Sequence, residues 1–225
     1  MSGMKRTSLQ IHVAPHAAAA VTKSDRTRAA ILNAALEFIW SRPFRDMTVN
    51  SLMATTDLSR SAFYQYFDDI HKVMEELLQM LAEEIFTSSN SWVNGVGDPV
   101  ALLNEAYEGL TQTCYRNGPF MRAVSDAASA DERFEKDWVQ FLGAFDDAAT
   151  TRIEADQAQG LIPPFDARPV AFALNRVNSS TFIDAFGQRP RRKPKPIQEA
   201  LARIWISTLY GGEWCEKGSS SLVRK

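Results

Sequence analysis

Cysteine and histidine are scarce in this chain: 225 residues carry two cysteines, Cys114 and Cys215, and three histidines, His12, His16 and His71. The thiols stand about a hundred positions apart and no histidine joins them, so no disulfide framework and no zinc site is expected. Long apolar runs are missing too. None approaches the roughly 20 residues a membrane helix needs. The amino-terminal "MKRTSLQIHVAPHAAAAV" has a basic-then-apolar order, but His12, Pro15 and His16 interrupt it, so residues 1–23 read as a flexible arm. Alternating strand patterns, hairpin signals and internal repeats are absent. No Ser-His-Asp, Cys-His or carboxylate-His arrangement occurs at a recognisable spacing. "FDD" occurs twice, at 67–69 and 145–147, but neither copy continues as DDxxD. Enzyme chemistry, metal and cofactor therefore have no residues to rest on, and a cytoplasmic place is expected.

What is present suits a packed helical protein. Apolar residues make up 45 % of the chain, enough to bury a core. The net charge of −2 hides an asymmetry: residues 1–72 hold nine Lys/Arg against six Asp/Glu, whereas the remainder holds sixteen against twenty-one. A basic head on an acidic body is the balance that partial phosphate neutralisation requires. Helical periodicity begins at Ser24, a candidate cap, and "SRPF" at 41–44 ends the first helix. Thr48 is placed to cap a short second helix and Ser59 a third that runs through Phe67. A longer fourth helix follows "DDI", and "NGVGDP" at 94–99 breaks it. Beyond lie helices at about 99–116, 120–130, 131–159, 167–186 and 196–213, punctuated by "RNGP", "QGLIPP", "FGQRP" and "KPKP". The reading is all-α, with a head over 24–84 and a larger helical body over 85–225.

Two short helices joined by a tight turn, the second polar and aromatic, predict a helix-turn-helix whose second helix enters the major groove by its amino end. In "TTDLSRSAFYQYF" (55–67) that end offers Ser59, Arg60 and Ser61. Arg60 has the fork that pairs with guanine O6 and N7, and Gln65 suits adenine or backbone. Thr48, Tyr64 and Tyr66 can donate hydroxyls to phosphate. Phe63 and Phe67 should face the head's core.

The segment "FRDMTVNSLMATTDLSRSAFYQYFDDIHKVMEELL" resembles the DNA-binding head of the TetR family of transcriptional repressors. "ALNRVNSSTF" (173–182) and "RIWISTLYG" (203–211) resemble the last two helices of its ethionamide-resistance repressor subgroup. The family's turn usually reads "AGVS" where this chain has "TDLS". Its Thr at the place of Ala62 is lost, leaving a methyl able to meet thymine, and its phosphate-binding Lys is replaced by Ile70, with Lys72 the nearest base. The resemblance implies a homodimer formed through the last two helices, a near-palindromic double-stranded DNA operator, and a hydrophobic small-molecule effector.

In the body, Asn175, Asn178 and Phe182 fall on one helix face. Amides among aromatics suit a largely apolar pocket with a few polar anchors. Trp138, Phe141 and Phe145 match, in position, the aromatics that line the subgroup's tunnel, and Trp205 matches its last helix. The rival function is an all-helical enzyme or carrier of apolar small molecules that binds no DNA. "RPRRKPK" (189–195), rich in proline, reads as a solvated loop.

Overall fold

The computed structural model describes residues 22–211; positions 1–21 of the expected arm, with His12 and His16, and Cys215 lie outside them, whereas Thr22 caps and Lys23 begins the first helix. Among the described residues every regular element is helical. They fall into two compact units that divide between Leu77 and Leu78.

The first unit holds three helices and the start of a fourth. Helix α1 spans Lys23–Ser41. Its cap is Thr22 rather than Ser24, because only from position 22 does an acid stand three residues on. Thr22 Oγ1 accepts from the Asp25 N–H at 3.1 Å, and the Asp25 carboxylate accepts from the Thr22 N–H at 2.9 Å. A 3₁₀ turn at Phe44–Asp46 leads to α2, Val49–Met53, capped by Thr48 as its sequence predicts. The turn after α2 lacks the family's glycine and is held instead by hydroxyls. Thr55 Oγ1 donates to the Leu52 carbonyl at 2.7 Å, and Thr56 Oγ1 to that of Met53 at 3.0 Å. Helix α3 is only Arg60–Phe63, shorter than the helix expected through Phe67. Its last turn tightens: the N–H groups of Tyr66 and Phe67 both reach the Phe63 carbonyl, at 2.9 and 3.0 Å. Phe63 is fully buried, Phe67 nearly so, and both join Ile31, Leu36, Leu52 and Val73 in one small core. Arg28 stacks over the Phe67 ring and its Nε donates to Glu76 at 2.8 Å, tying α1 to the first turns of α4 (Ile70–Val93).

The second unit contains the rest of α4 and four long helices: α5 Pro99–Ala128, α6 Glu132–Ala158, α7 Ala167–Phe186 and α8 Pro194–Tyr210. Helix α5 packs against α6, α7 and α8. The break expected at "RNGP" does not occur; α5 runs straight through Pro119. A proline at 119 cannot donate to the Tyr115 carbonyl, which would ordinarily leave that oxygen open. Arg191, from the basic loop, donates to it instead and lays its guanidinium 3.5 Å from the Tyr115 ring centre. The tract read as solvated thus turns one charge inward. Gly118 is the second requirement. A Cβ there would stand 2.4 Å from the Phe186 carbonyl oxygen, so only glycine lets α5 and α7 approach so closely.

Candidate functional site

In the head, most of the side chains expected to meet DNA are open to solvent, and several are already engaged. Ser59 is exposed and caps α3, accepting from the Ala62 N–H at 3.2 Å, while its hydroxyl lies 2.9 Å from that of Ser61. Arg60 lies across the Tyr64 ring and donates to its hydroxyl at 3.2 Å. It must leave that resting place to reach a base edge. Gln65 is exposed, whereas Ala62 and Tyr66 are half-buried. Thr48 is exposed and already holds its capping box with Ser51. Lys72 is ion-paired with Glu75, three residues on, which offsets the charge it would bring to a phosphate.

The body encloses an apolar cavity of about 90 Å³, walled by α4, α5, α6, α7 and α8. Six of the seven residues named from the sequence line it: Phe141, Phe145, Asn175, Asn178, Phe182 and Trp205. Trp138 does not. It lies one layer out, with its ring stacked on Phe141 at 5.2 Å and 16°.

The two amides differ in what they leave free. Asn178 Oδ1 accepts from the Tyr107 hydroxyl at 2.9 Å and from the Trp205 Nε1–H at 3.1 Å. Two donors converging on one atom fix the amide's orientation. Its Nδ2 has no hydrogen-bond partner among the described residues and is the donor left for the cavity. Asn175 is reversed: its Nδ2 donates to Asp146 Oδ1 at 3.0 Å, which leaves its carbonyl oxygen open. Asp146, buried between α6 and α7, is neutralised by Arg176, whose Nη2 donates to Oδ2 at 2.8 Å. Burial pushes the Tyr107 phenol well above its ordinary value, so it stays a neutral donor. Burial likewise pushes the Cys114 thiol up, with the nearby Glu84 charge adding to it. That thiol lines the cavity as an inert apolar group rather than a nucleophile.

A chain of buried polar contacts that the sequence did not reveal closes the far end of the bundle. Trp92 Nε1–H donates to the Tyr210 hydroxyl at 2.9 Å, and that hydroxyl donates to Asp156 Oδ2 at 2.7 Å. Arg152 Nε donates to the same oxygen at 3.0 Å. Its Nη1 also reaches the carbonyls of Trp92 and Gly95, at 2.7 and 2.8 Å. Burial raises the Tyr210 phenol above its ordinary value, and the hydrogen bond to Asp156 adds to this, so it remains protonated. Periodicity marks Trp92 and Tyr210 as apolar positions only, and nothing local pairs them across more than a hundred residues.

The described residues thus form two units, a helix-turn-helix head with a polar α3 amino end and a five-helix body around an apolar cavity with polar anchors. Residues 103–211 match the family described as "Transcriptional regulator EthR, C-terminal domain". The HTH-type transcriptional regulator EthR of Mycobacterium tuberculosis is 28 % identical over 203 residues, covering 83 % of this chain and 88 % of that protein. Its counterpart in Mycolicibacterium smegmatis is 24 % identical over 190 residues, with the same shares covered. A putative TetR-family transcriptional regulator from Syntrophomonas wolfei superposes with a TM-score of 0.71 at 16 % identity, over 82 % of this chain and 95 % of that one. Salmonella enterica GusR gives 0.68 at 18 % identity, over 84 % and 98 %. The chain is thus similar to EthR-like transcriptional regulators of the TetR family, over residues 103–211 in the family match and over 83 % of its length in the curated relatives. No helix among the described residues is long and apolar enough to cross a membrane.

Proposed function

We propose that the chain is a homodimeric repressor that binds a near-palindromic operator and is released by a hydrophobic small molecule held in the helical body. The observation that carries this reading is the apolar cavity whose lining offers one amide donor, at Asn178, and one carbonyl acceptor, at Asn175. An effector with an apolar frame and a hydrogen-bond acceptor placed opposite Asn178 Nδ2 fits that lining. At about 90 Å³ the cavity is well below the roughly 300–1,000 Å³ of a drug-sized site, so an effector must select a more open state of the body. The coupling to DNA is then a difference in affinity between two states. The outer faces of α7 and α8 expose Phe172, Val177 and Ile204, an apolar set that supports pairing of two copies through these helices. Ile204, at 41 % exposed, is open enough to take part in such a contact.

A mobility-shift titration on the operator and on random DNA tests the reading. Arg60→Ala is expected to weaken operator binding about tenfold or more, the worth of roughly 1–3 kcal/mol of base discrimination, and to leave random DNA nearly unchanged. Equal losses on both would reduce Arg60 to a phosphate contact. Asn178→Leu removes the cavity's donor. It should abolish release by the effector while ligand-free operator affinity stays within about twofold. The same change strands the Tyr107 hydroxyl and the Trp205 N–H, so a stability loss of roughly 1–3 kcal/mol should accompany it. An unaltered effector response would return Asn178 to a purely structural place.

A further inference from the structure

Beside the apolar cavity lies a second, larger cleft of about 460 Å³, lined by Val93 at the end of α4 and the four residues after it, by residues of α6 from Asp147 to Asp156, and by Gln159 and Leu161. Val93 and Ala148 line both spaces, so two small side chains stand in their common wall. The cavity alone is too small for an effector, and cavity and cleft together reach the usual range of roughly 300–1,000 Å³.

The cleft differs from the cavity in charge. Helix α4 ends at Val93 and α6 at Ala158, so the carboxyl ends of two helices, each with partial negative charge, border the same space. Asp156, 1 % exposed, stands in its wall with Oδ2 taken by Tyr210 and Arg152, while Oδ1 has no hydrogen-bond partner. An unpartnered buried carboxylate oxygen is costly unless something supplies a donor. The cation among the lining residues, Arg152, commits Nε to Asp156 and Nη1 to the Trp92 and Gly95 carbonyls. Asp147 adds a second carboxylate, paired outward with Arg168. With two carboxylates against one cation in its lining, the cleft presents acceptors and a net negative charge, and Oδ1 of Asp156 is the acceptor left open.

We infer that the cleft is the polar half of a composite effector site and takes a protonated amine, so that the effector is a cationic amphiphile with its chain in the apolar cavity and its ammonium beside Asp156. This rests on the reading of the cavity as an effector site. An ammonium carries three donors and a charge that both helix ends favour. A carboxylate head would meet the repulsion of Asp156, Asp147 and two helix carboxyl ends, and an alcohol would gain a hydrogen bond but no charge.

The test is calorimetric titration of the full-length protein with octylammonium, 1-octanol and octanoate below their micelle thresholds, repeated on Ala155→Lys. Ala155 is exposed in the cleft wall, so lysine there places a cation without disturbing the fold, and an unchanged melting temperature checks this. Octylammonium should bind at least about tenfold more tightly than 1-octanol, and octanoate more weakly than either. In Ala155→Lys the octylammonium affinity should fall about tenfold while that of 1-octanol stays within about twofold. Equal affinities of amine and alcohol, or equal losses of both in Ala155→Lys, overturn the inference and leave the cavity reading standing. Failure of all three compounds to bind overturns both.

Discussion

Replacing Arg152 by leucine should destabilise the body by about 3–5 kcal/mol, the cost of removing one partner of a buried ion pair. The pair is well inside: the side chains of Arg152 and Asp156 are 10 % and 1 % exposed. Coulomb attraction between them is only part of the loss. Arg152 also donates to the carbonyls of Trp92, in the last turn of α4, and of Gly95, just beyond it, and leucine leaves both oxygens open. Asp156 would then keep Tyr210 as its one hydrogen-bond donor while already carrying an unpartnered Oδ1. The double variant Arg152→Leu/Asp156→Leu should recover part of the loss, since no charge is then stranded. Urea denaturation followed at the tryptophans measures both. A double variant no more stable than Arg152→Leu would show that the carbonyl contacts, not the ion pair, hold this end of the bundle.

Phe63→Ala should unfold the head selectively. Truncating a fully buried phenylalanine costs roughly 3–5 kcal/mol. The head is small, with its core drawn from α1 to α3 and the first turns of α4, so that loss is comparable to the whole stability of such a unit. The Phe63 ring also packs at a tilt against Phe67 at 5.8 Å and meets Tyr64 edge-on at 5.4 Å, so truncation loosens Tyr64 as well as the core. DNA binding should disappear while the body keeps its helicity and its ligand affinity. Circular dichroism and calorimetry on the same sample separate the two. Loss of ligand binding together with DNA binding would mean that the units do not fold independently.

The parts that were legible in the sequence are those decided within a few residues. Thr48 and Ser59 cap because a short acceptor stands just before an apolar turn, and Phe63 and Phe67 point inward because they are four apart on a polar helix. Asn175, Asn178 and Phe182 reach the cavity for the same reason of spacing. Where two readings are locally equal, only a further partner settles the choice. Ser24 and Thr22 are both good caps, and Asp25 decides between them. Trp138 and Phe141 lie on one face of α6, and only the packing shows that the phenylalanine lines the cavity while the tryptophan covers it. The continuation of α5 through Pro119 could not be read locally, because the missing donor is supplied by Arg191 from beyond the next two helices. Asp156, Tyr210 and Trp92 escaped notice on the same ground: a buried carboxylate becomes visible only when its partners are brought to it.

Gly118 and Pro119 together make a register lock. The glycine admits the Phe186 backbone at one level of α5, and the proline leaves the Tyr115 carbonyl to Arg191 a turn earlier on the same helix. Sliding α7 along α5 by one turn would lose both contacts at once, since no second Gly-Pro pair lies in the helix. The α5–α7 seam is therefore the stationary wall of the cavity. Any enlargement that an occupant demands falls on α4, α6 and α8, whose approaches are set by side chains such as Phe86, Phe145 and Trp205 rather than by backbone in contact with backbone.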